Sequence, residues 1–361
     1  MPIASRLPRL QSTQLSAGRG DESMIGMTNA GGSGTGCTLT ITAPAGAAIT
    51  VANKAGKVKS KTVGANGLVV FRGLTEGTWT ITITKGTDTA TKAVEIKADY
   101  QAAISFNTIP DFTYTGDFEI VSDDDQPITV SQGNWKIRFL TSGTLTFTSL
   151  NGAENGIDVF LVGGGGGGSR AAGGGGYTKT LKKVKVSVGT AYLIEIGAGG
   201  IAGVGNSKAG SSGGTSNAFG ASANGGEANT SASSFRGSNG GSGGGAGSTN
   251  GNGGKGGSDG SDGFHRNGTH QDSGTGQGTT TREFGESGGK LYAGGGGGCT
   301  TTSSNGGAGG DGGGGDGGNT SGGATSGATN TGGGGGGAAN SKAGGAGGSG
   351  IAIIRNTRGA A

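Results

Sequence analysis

From residue 37 to about residue 150, apolar and polar side chains alternate with a period of two. CTLTITAP (37–44), AITVANKAGKVKSKTV (48–63) and GLVVFRGLTEGTWTITITKGTDTATKAVEIKA (67–98) place β-branched or aromatic residues at every second position. The runs break at Lys54-Ala55-Gly56, Thr75-Glu76-Gly77 and Lys85-Gly86-Thr87. That alternation, punctuated by turn residues, predicts a small antiparallel β-sandwich over 37–107. Before it, residues 1–36 carry isolated apolar positions (Ile3, Leu7, Leu10, Leu15) among Arg, Ser and Thr, without a period. They read as an extended arm ordered by a partner.

From 108 onward the pattern continues as FTYTGDFEIV, NWKIRFLTSGTLTFTSL and GIDVFLV. IDVFLV is almost continuous in apolar residues, which predicts a strand covered on both faces. The strand pattern then stops at a glycine run and resumes twice. GGYTKTLKKVKVSVGTAYLIEIGAGG (175–200) holds two strands, and GIAIIR (350–355) holds a last one chemically like IDVFLV. The expected architecture is therefore all-β. A small sandwich is followed by a second sandwich over 108–361, whose glycine-rich insertions (163–176 and 197–350) are closed by the C-terminal strand.

Composition sharpens the second half. Of 92 glycines, 19 precede residue 163 and one follows residue 350, so 92 − 19 − 1 = 72 fall within 163–350. All five prolines and both tryptophans lie before residue 136. A Gly/Ser linker of this length would be a flexible coil, and structureless loops that long are rare inside a domain that returns to a core strand. Collagen is excluded because the strict Gly-X-Y period and the proline are missing. Gly197-Ala198-Gly199-Gly200-Ile201-Ala202 spells a dinucleotide-binding fingerprint after a strand, but more glycine follows instead of a helix. Gly254-Lys255-Gly256 lacks the hydroxyl residue of a phosphate-binding loop.

Packed polyglycine II helices remain. Such a helix has three residues per turn and no internal hydrogen bonds, so its N–H and C=O groups bond to neighbouring helices. Side chains obstruct that approach. Interior helices must be nearly pure glycine, and edge helices can carry about one other residue per turn. GGAGGDGGGGDGG (306–318) and TGGGGGGAANSKAGGAGGSG (331–350) suit this use.

VFLVGGGGGGSRAAGGGGYT, VSVGTAYLIEIGAGG and the closing GGSGIAIIR resemble the glycine-rich domains of bacteriophage tail-fibre and other virion proteins. They also resemble the glycine-rich extracellular domain of anaplastic lymphoma kinase, where polyglycine helices pack beside a tumour-necrosis-factor-like jelly roll. The resemblance covers roughly 130–355 and implies a jelly-roll-like second sandwich. Residues 37–107 are similar to the immunoglobulin-like modules of surface and virion proteins. The resemblance further implies a virion structural protein, a tail- or head-fibre component made without a signal peptide. Its arm would dock to other virion proteins, and three copies would assemble. Its distal loops would touch a host glycan or outer-surface protein. The glycine-poor stretch 258–292, with Phe264, His265, Arg266, His270, Arg282, Phe284 and Tyr292, is the binding loop expected on that basis. Phe219 and the Phe235-Arg236 pair are shorter candidates. Aromatics stack on sugars and arginine forks acidic groups. The rival reading is a capsid decoration protein whose arm threads between subunits without binding a receptor.

Other chemistry finds little support. A net charge of +4 without a basic, aromatic-interleaved block does not suggest nucleic acid. Cys37 and Cys299 have no metal-binding or disulfide spacing. No run of about twenty apolar residues and no apolar signal segment appear. The Arg19-Gly20-Asp21 triplet matches an integrin motif only by letter. Asp123-Asp124-Asp125 lacks the spacing of a calcium loop and reads as a solvated turn. Adjacent carboxylates cannot flank a sugar substrate, so glycan hydrolysis is not expected. No cofactor is expected, and His265 with His270 lacks a third ligand type.

Overall fold

A computed structural model of the chain describes residues 37–357, apart from 44–45, 86–87, 97–100, 106–108, 127–133, 151–152, 154, 230–233, 250–251 and 266–271. The expected arm 1–36 therefore lies outside the described residues. Among those described the fold is nearly all β, and no helix is long and apolar enough to cross a membrane.

The first sandwich uses β1 (Cys37–Thr42), β2 (Ala48–Asn53), β3 (Val58–Thr62), β4 (Leu68–Leu74), β5 (Gly77–Lys85), β6 (Asp88–Ile96) and β7 (Gln101–Ser105). They form sheets ordered β4-β1-β7 and β3-β2-β5-β6. Alternate residues point inward, and Leu39, Ile41, Ile49, Val51, Phe71, Trp79 and Ile81 are fully buried together. The sequence pattern suggested antiparallel pairing throughout, but β7 runs parallel to β1, with Thr38 opposite Gln101. The chain reaches β7 from the other sheet rather than through a hairpin, so nothing forces it to reverse.

The second sandwich begins with β8 (Phe112–Tyr114), β9 (Phe118–Val121), β10 (Lys136–Phe139), β11 (Gly143–Phe147), β12 (Ile157–Val162), β13 (Thr178–Val184) and β14 (Ala191–Ile194). After a two-stranded hairpin, β15 (Ser216–Ala218) and β16 (Ala221–Ala223), it closes with β17 (Ile351–Asn356). Its sheets are β13-β12-β17-β10-β9 and β14-β11-β8. FTYTGDFEIV is thus two strands in two sheets. The chain switches at Gly116, where a Cβ would sit 2.7 Å from the carbonyl oxygen of Ser142.

The last strand inserts between β10 and β12, pairing antiparallel with both, with Val159 opposite Ile354. Every residue of β12 and β17 is buried. Ile157, Val159 and Leu161 face the inter-sheet core, while Phe160 and Val162 join Phe284, Tyr292, Ile351 and Ile353 in a second cluster on the opposite face. This two-sided cover explains the continuous apolar run of IDVFLV.

Between β12 and β17 lies the glycine lattice. Its hub is Gly163–Gly168. Successive amides of this run donate to different segments, and the partners recur every third residue. Gly164 and Gly167 bond to Gly214 and Ser211; Gly165 and Gly168 bond to Gly348 and Gly345; Gly163 and Gly166 bond to Tyr177 and Gly174, all at 2.9–3.0 Å. Partner numbers fall as hub numbers rise, so these three neighbours run antiparallel. Three more neighbours donate to the hub: Gly226 to Gly164, Gly200 and Gly203 to Gly165 and Gly168, and Gly335 to Gly166. The three-residue recurrence is that of a polyglycine II helix. The hub is enclosed on six sides.

Gly294–Gly298 is a second such core run. Its amides reach Gly312 and Gly315, Gly257 and Gly254, and Gly173. Its carbonyls accept from Gly334 and Gly337, Gly310 and Gly307, and Gly245. The pure-glycine runs 163–168, 173–176, 294–298 and 332–337 are all buried. Outer helices carry other residues three apart. Ala198 and Ile201 of the 197–203 helix point away from the hub, and Ile201 is 68% exposed. With so few side chains available to bury, the lattice is held by hydrogen bonds rather than by an apolar core.

Candidate functional site

The register of the lattice gives it a near end, at the sandwich, and a far end. Gly163 follows β12 and Tyr177 precedes β13, so 169–171 turns at the far end. From the hydrogen-bond partners, the turns at 204–208, 234–236, 247–249, 299–305, 319–321 and 339–343 also lie there, as do His265 and Asp272. The turns at 258–261, 311–313 and 329–331, the β15–β16 hairpin and the segment 279–292 lie at the near end.

The far-end turns touch one another in a chain. Gly205 and Asn206 donate to the carbonyls of Lys342 and Asn340, and Ala338 donates to Ser169. Ser169 Oγ donates to Asn229 Oδ1 at 2.8 Å. The Arg170 guanidinium lies 4.0 Å over the Phe235 ring. Gly247 donates to Phe235, Thr301 to Ser248, and Thr320 Oγ1 to Thr302. The result is one continuous surface rich in Ser, Thr and Asn, built on a hydrogen-bonded platform.

The eight described candidate residues divide between the two ends. Phe235 and Arg236 are on the far-end surface, Phe235 half-buried under Arg170 and Arg236 exposed. Phe264 is half-buried, its backbone fixed to Ala246 and Lys255. His265 is buried, with Nε2 3.2 Å from Asp272 Oδ2. Arg266 and His270 lie outside the described residues.

The remaining candidates are at the near end, and for Phe284 and Tyr292 the expectation of a receptor contact is corrected. Both are buried, 3% and 1% exposed, against Phe160 of β12. They cover the outer face of the five-stranded sheet, because β12 and β17 present apolar side chains there too. Arg282 is engaged with Asp259 at 3.0 Å. Phe219, in the β15–β16 turn, packs on Tyr192 with ring centroids 5.2 Å apart. The stretch 258–292 is thus not one loop. Glycines at 260, 263, 274 and 276 keep it in the lattice, and only its last part leaves.

Beneath that last part is a charged layer. Lys136 Nζ sits 2.7 Å from Asp125 and 3.0 Å from Glu283, and Arg138 pairs with Asp125. Arg355 reaches Asp158 at 3.2 Å and also pairs with Glu286. The acidic turn is therefore a structural counter-charge, not merely a solvated turn. Burial works against the Asp125 charge, yet Arg138 and Lys136 outweigh it and hold the carboxyl at about 2. A cleft of about 690 Å³ lies between this turn and residues 283–290. Asp125 and Glu283 in it pair with Lys136, and Glu286 pairs with Arg355, and no group of three metal-ligating residues occurs among the described residues.

Three basic residues of the far end went unnoticed in the sequence. Arg170 sits in the Ser-Arg-Ala-Ala break between two glycine runs. Lys208 and Lys342 belong to a repeated pentapeptide, Asn206-Ser207-Lys208-Ala209-Gly210 and Asn340-Ser341-Lys342-Ala343-Gly344. The two copies form neighbouring turns, bridged at Val204 and Ala343. The repeat was the available signal.

The glycine fingerprint at 197–202 is an edge helix whose amides are used internally. Gly197 donates to Ser216 Oγ and Gly200 to Gly165. They do not cradle a phosphate.

Compared with curated proteins, the chain has no match. A family model described as a glycine-rich domain matches residues 140–357, which span the lattice, its two flanking core strands and much of the second sandwich. That match covers more than half of the 361 residues, and the chain belongs to this glycine-rich domain family.

Proposed function

We propose that the chain is an attachment protein, a fibre or tip component of a virion, whose far-end loops contact the surface of a host cell. The observation that carries this reading is the continuous far-end surface. Its turns are separated from the sandwich by the full length of a rigid lattice, and polar and cationic groups gather there. Presenting loops on a rigid scaffold limits the ordering entropy lost on binding. The virion setting comes from the sequence resemblance, and in it residues 1–36 serve as the docking arm.

The test is binding of the labelled full-length chain to intact candidate host cells. Phe235→Ala with Arg236→Ala should abolish binding while the protein still unfolds cooperatively, at a somewhat lower melting temperature. Lys179→Ala with Lys185→Ala, on and just after the β13 edge, should not affect binding. Binding that survives changes at all far-end turns would contradict the proposal.

A further inference from the structure

The far-end turns are rich in cations. At the far end Arg170, Lys208, Arg236 and Lys342 are joined by a single described carboxylate, Asp272, which is paired with His265. At the near end the charges are mixed: Asp259 is paired with Arg282, and Lys290 lies beside Asp125. The described far-end turns therefore carry four cations against one carboxylate, which is itself paired with His265.

The cations are positioned rather than scattered. The paired pentapeptide turns bring Lys208 and Lys342 onto adjacent loops, both exposed. Arg170 lies over Phe235, its guanidinium carbon 4.0 Å from the ring centroid, and its Nε, shielded from solvent, has no hydrogen-bond partner among the described residues. An arginine fixed on an aromatic ring presents its fork to a carboxylate or phosphate at lower entropic cost than a free one. Among the turns, the exposed Asn206, Ser207, Thr249, Asn305, Asn340 and Ser341 offer the hydroxyl and amide groups that pair with sugar hydroxyls.

We infer that the far end recognises an anionic polysaccharide, with Arg170, Arg236, Lys208 and Lys342 pairing with its acidic groups and the Ser/Thr/Asn turns with its hydroxyls. The inference rests on the attachment reading and names its ligand class. Carboxylate and phosphate share the required chemistry.

The test uses the full chain and three defined polymers: neutral dextran, carboxymethyl-dextran and phosphorylated mannan. Both anionic polymers should bind, more weakly as salt rises, and dextran should not. A preference between the two identifies the acidic group. Lys208→Ala with Lys342→Ala, and separately Arg170→Ala with Arg236→Ala, should each weaken binding about tenfold. Lys179→Ala with Lys185→Ala is the charge-matched control and should leave binding unchanged, which excludes a bulk-charge effect. Equal binding of dextran, or full binding by a variant lacking all four cations, overturns the inference. Because Arg170→Ala could disturb the far-end turns, the Lys208/Lys342 variant alone suffices to decide. The two readings fail differently. If cells bind through Phe235 but anionic polymers neither bind nor compete, the ligand class is wrong and attachment stands. If polymers bind as expected but no cell does, attachment is wrong.

Discussion

A methyl group placed on Gly165 would lie 2.0 Å from the carbonyl oxygen of Gly333. The same close approach recurs around the hub, where added Cβ atoms on Gly163 to Gly168 meet backbone at 1.9–2.1 Å. Backbone, unlike a flexible side chain, cannot swing away, and moving the helix breaks its bonds on other sides. Gly165→Ala should therefore cost about 3 kcal/mol or more. Gly334→Val, whose Cβ would meet the Gly173 oxygen at 2.2 Å, should cost at least as much. Gly288→Ala meets nothing within 4 Å and should be neutral or slightly stabilising, by up to about 1 kcal/mol. Thermal melting of the three variants checks this; equal melting temperatures would mean that the glycines are not packed.

The aromatic cover separates stability from binding. Phe284→Ala or Tyr292→Ala empties the cluster over Phe160 and should cost about 3 kcal/mol, the usual loss for a buried aromatic. Neither should alter ligand affinity in protein that remains folded. An affinity change without a stability change would return these residues to the binding surface.

Stability should fall in acid through Asp125. Its folded carboxyl is held at about 2, below the unfolded value near 3.9. A depressed value means that the contribution is present at neutral pH and is lost as pH falls from about 4 toward 2. Glu286 acts in the same direction, since Arg355 lowers it by hydrogen bonding. Asp125→Asn should melt lower at pH 7, where Lys136 and Arg138 lose their counter-charge, by about 2 kcal/mol. Its melting temperature should also vary less between pH 5 and 2 than that of the parent chain. Parallel pH profiles would show that Asp125 is solvated after all.

Both thiols should resist alkylation in the folded protein. Cys299 is fully buried, and burial raises its thiol to about 11, while Cys37 is 7% exposed. Maleimide should label neither until denaturant is added and then label both. Native labelling of Cys299 would place the 299–305 turn in solvent.

Much of this architecture could be read from the chain because glycine is informative by what it excludes. Runs without any Cβ can be interior to a lattice, and runs with a side chain every third residue can only be its edge. IDVFLV and GIAIIR announced a shared sheet through two-sided apolarity. The binding surface was harder to find. Phe284 and Tyr292 looked like loop aromatics because they follow a polar, glycine-poor stretch. Their burial depends on Phe160, distant in sequence, whose outward direction follows only from strand register. Arg170 and the two lysines were hidden for the converse reason, since isolated cations in turns acquire meaning only when the lattice brings the turns together.

The most direct test of the lattice is native-state hydrogen exchange at the amides of Gly163–Gly168. Each has a defined acceptor within 3.0 Å on a different part of the chain. They should exchange only with global unfolding, as slowly as the amides of β12 and β17. Exchange at the rate of an unstructured glycine chain would contradict the lattice, and with it the rigid presentation of the far-end surface.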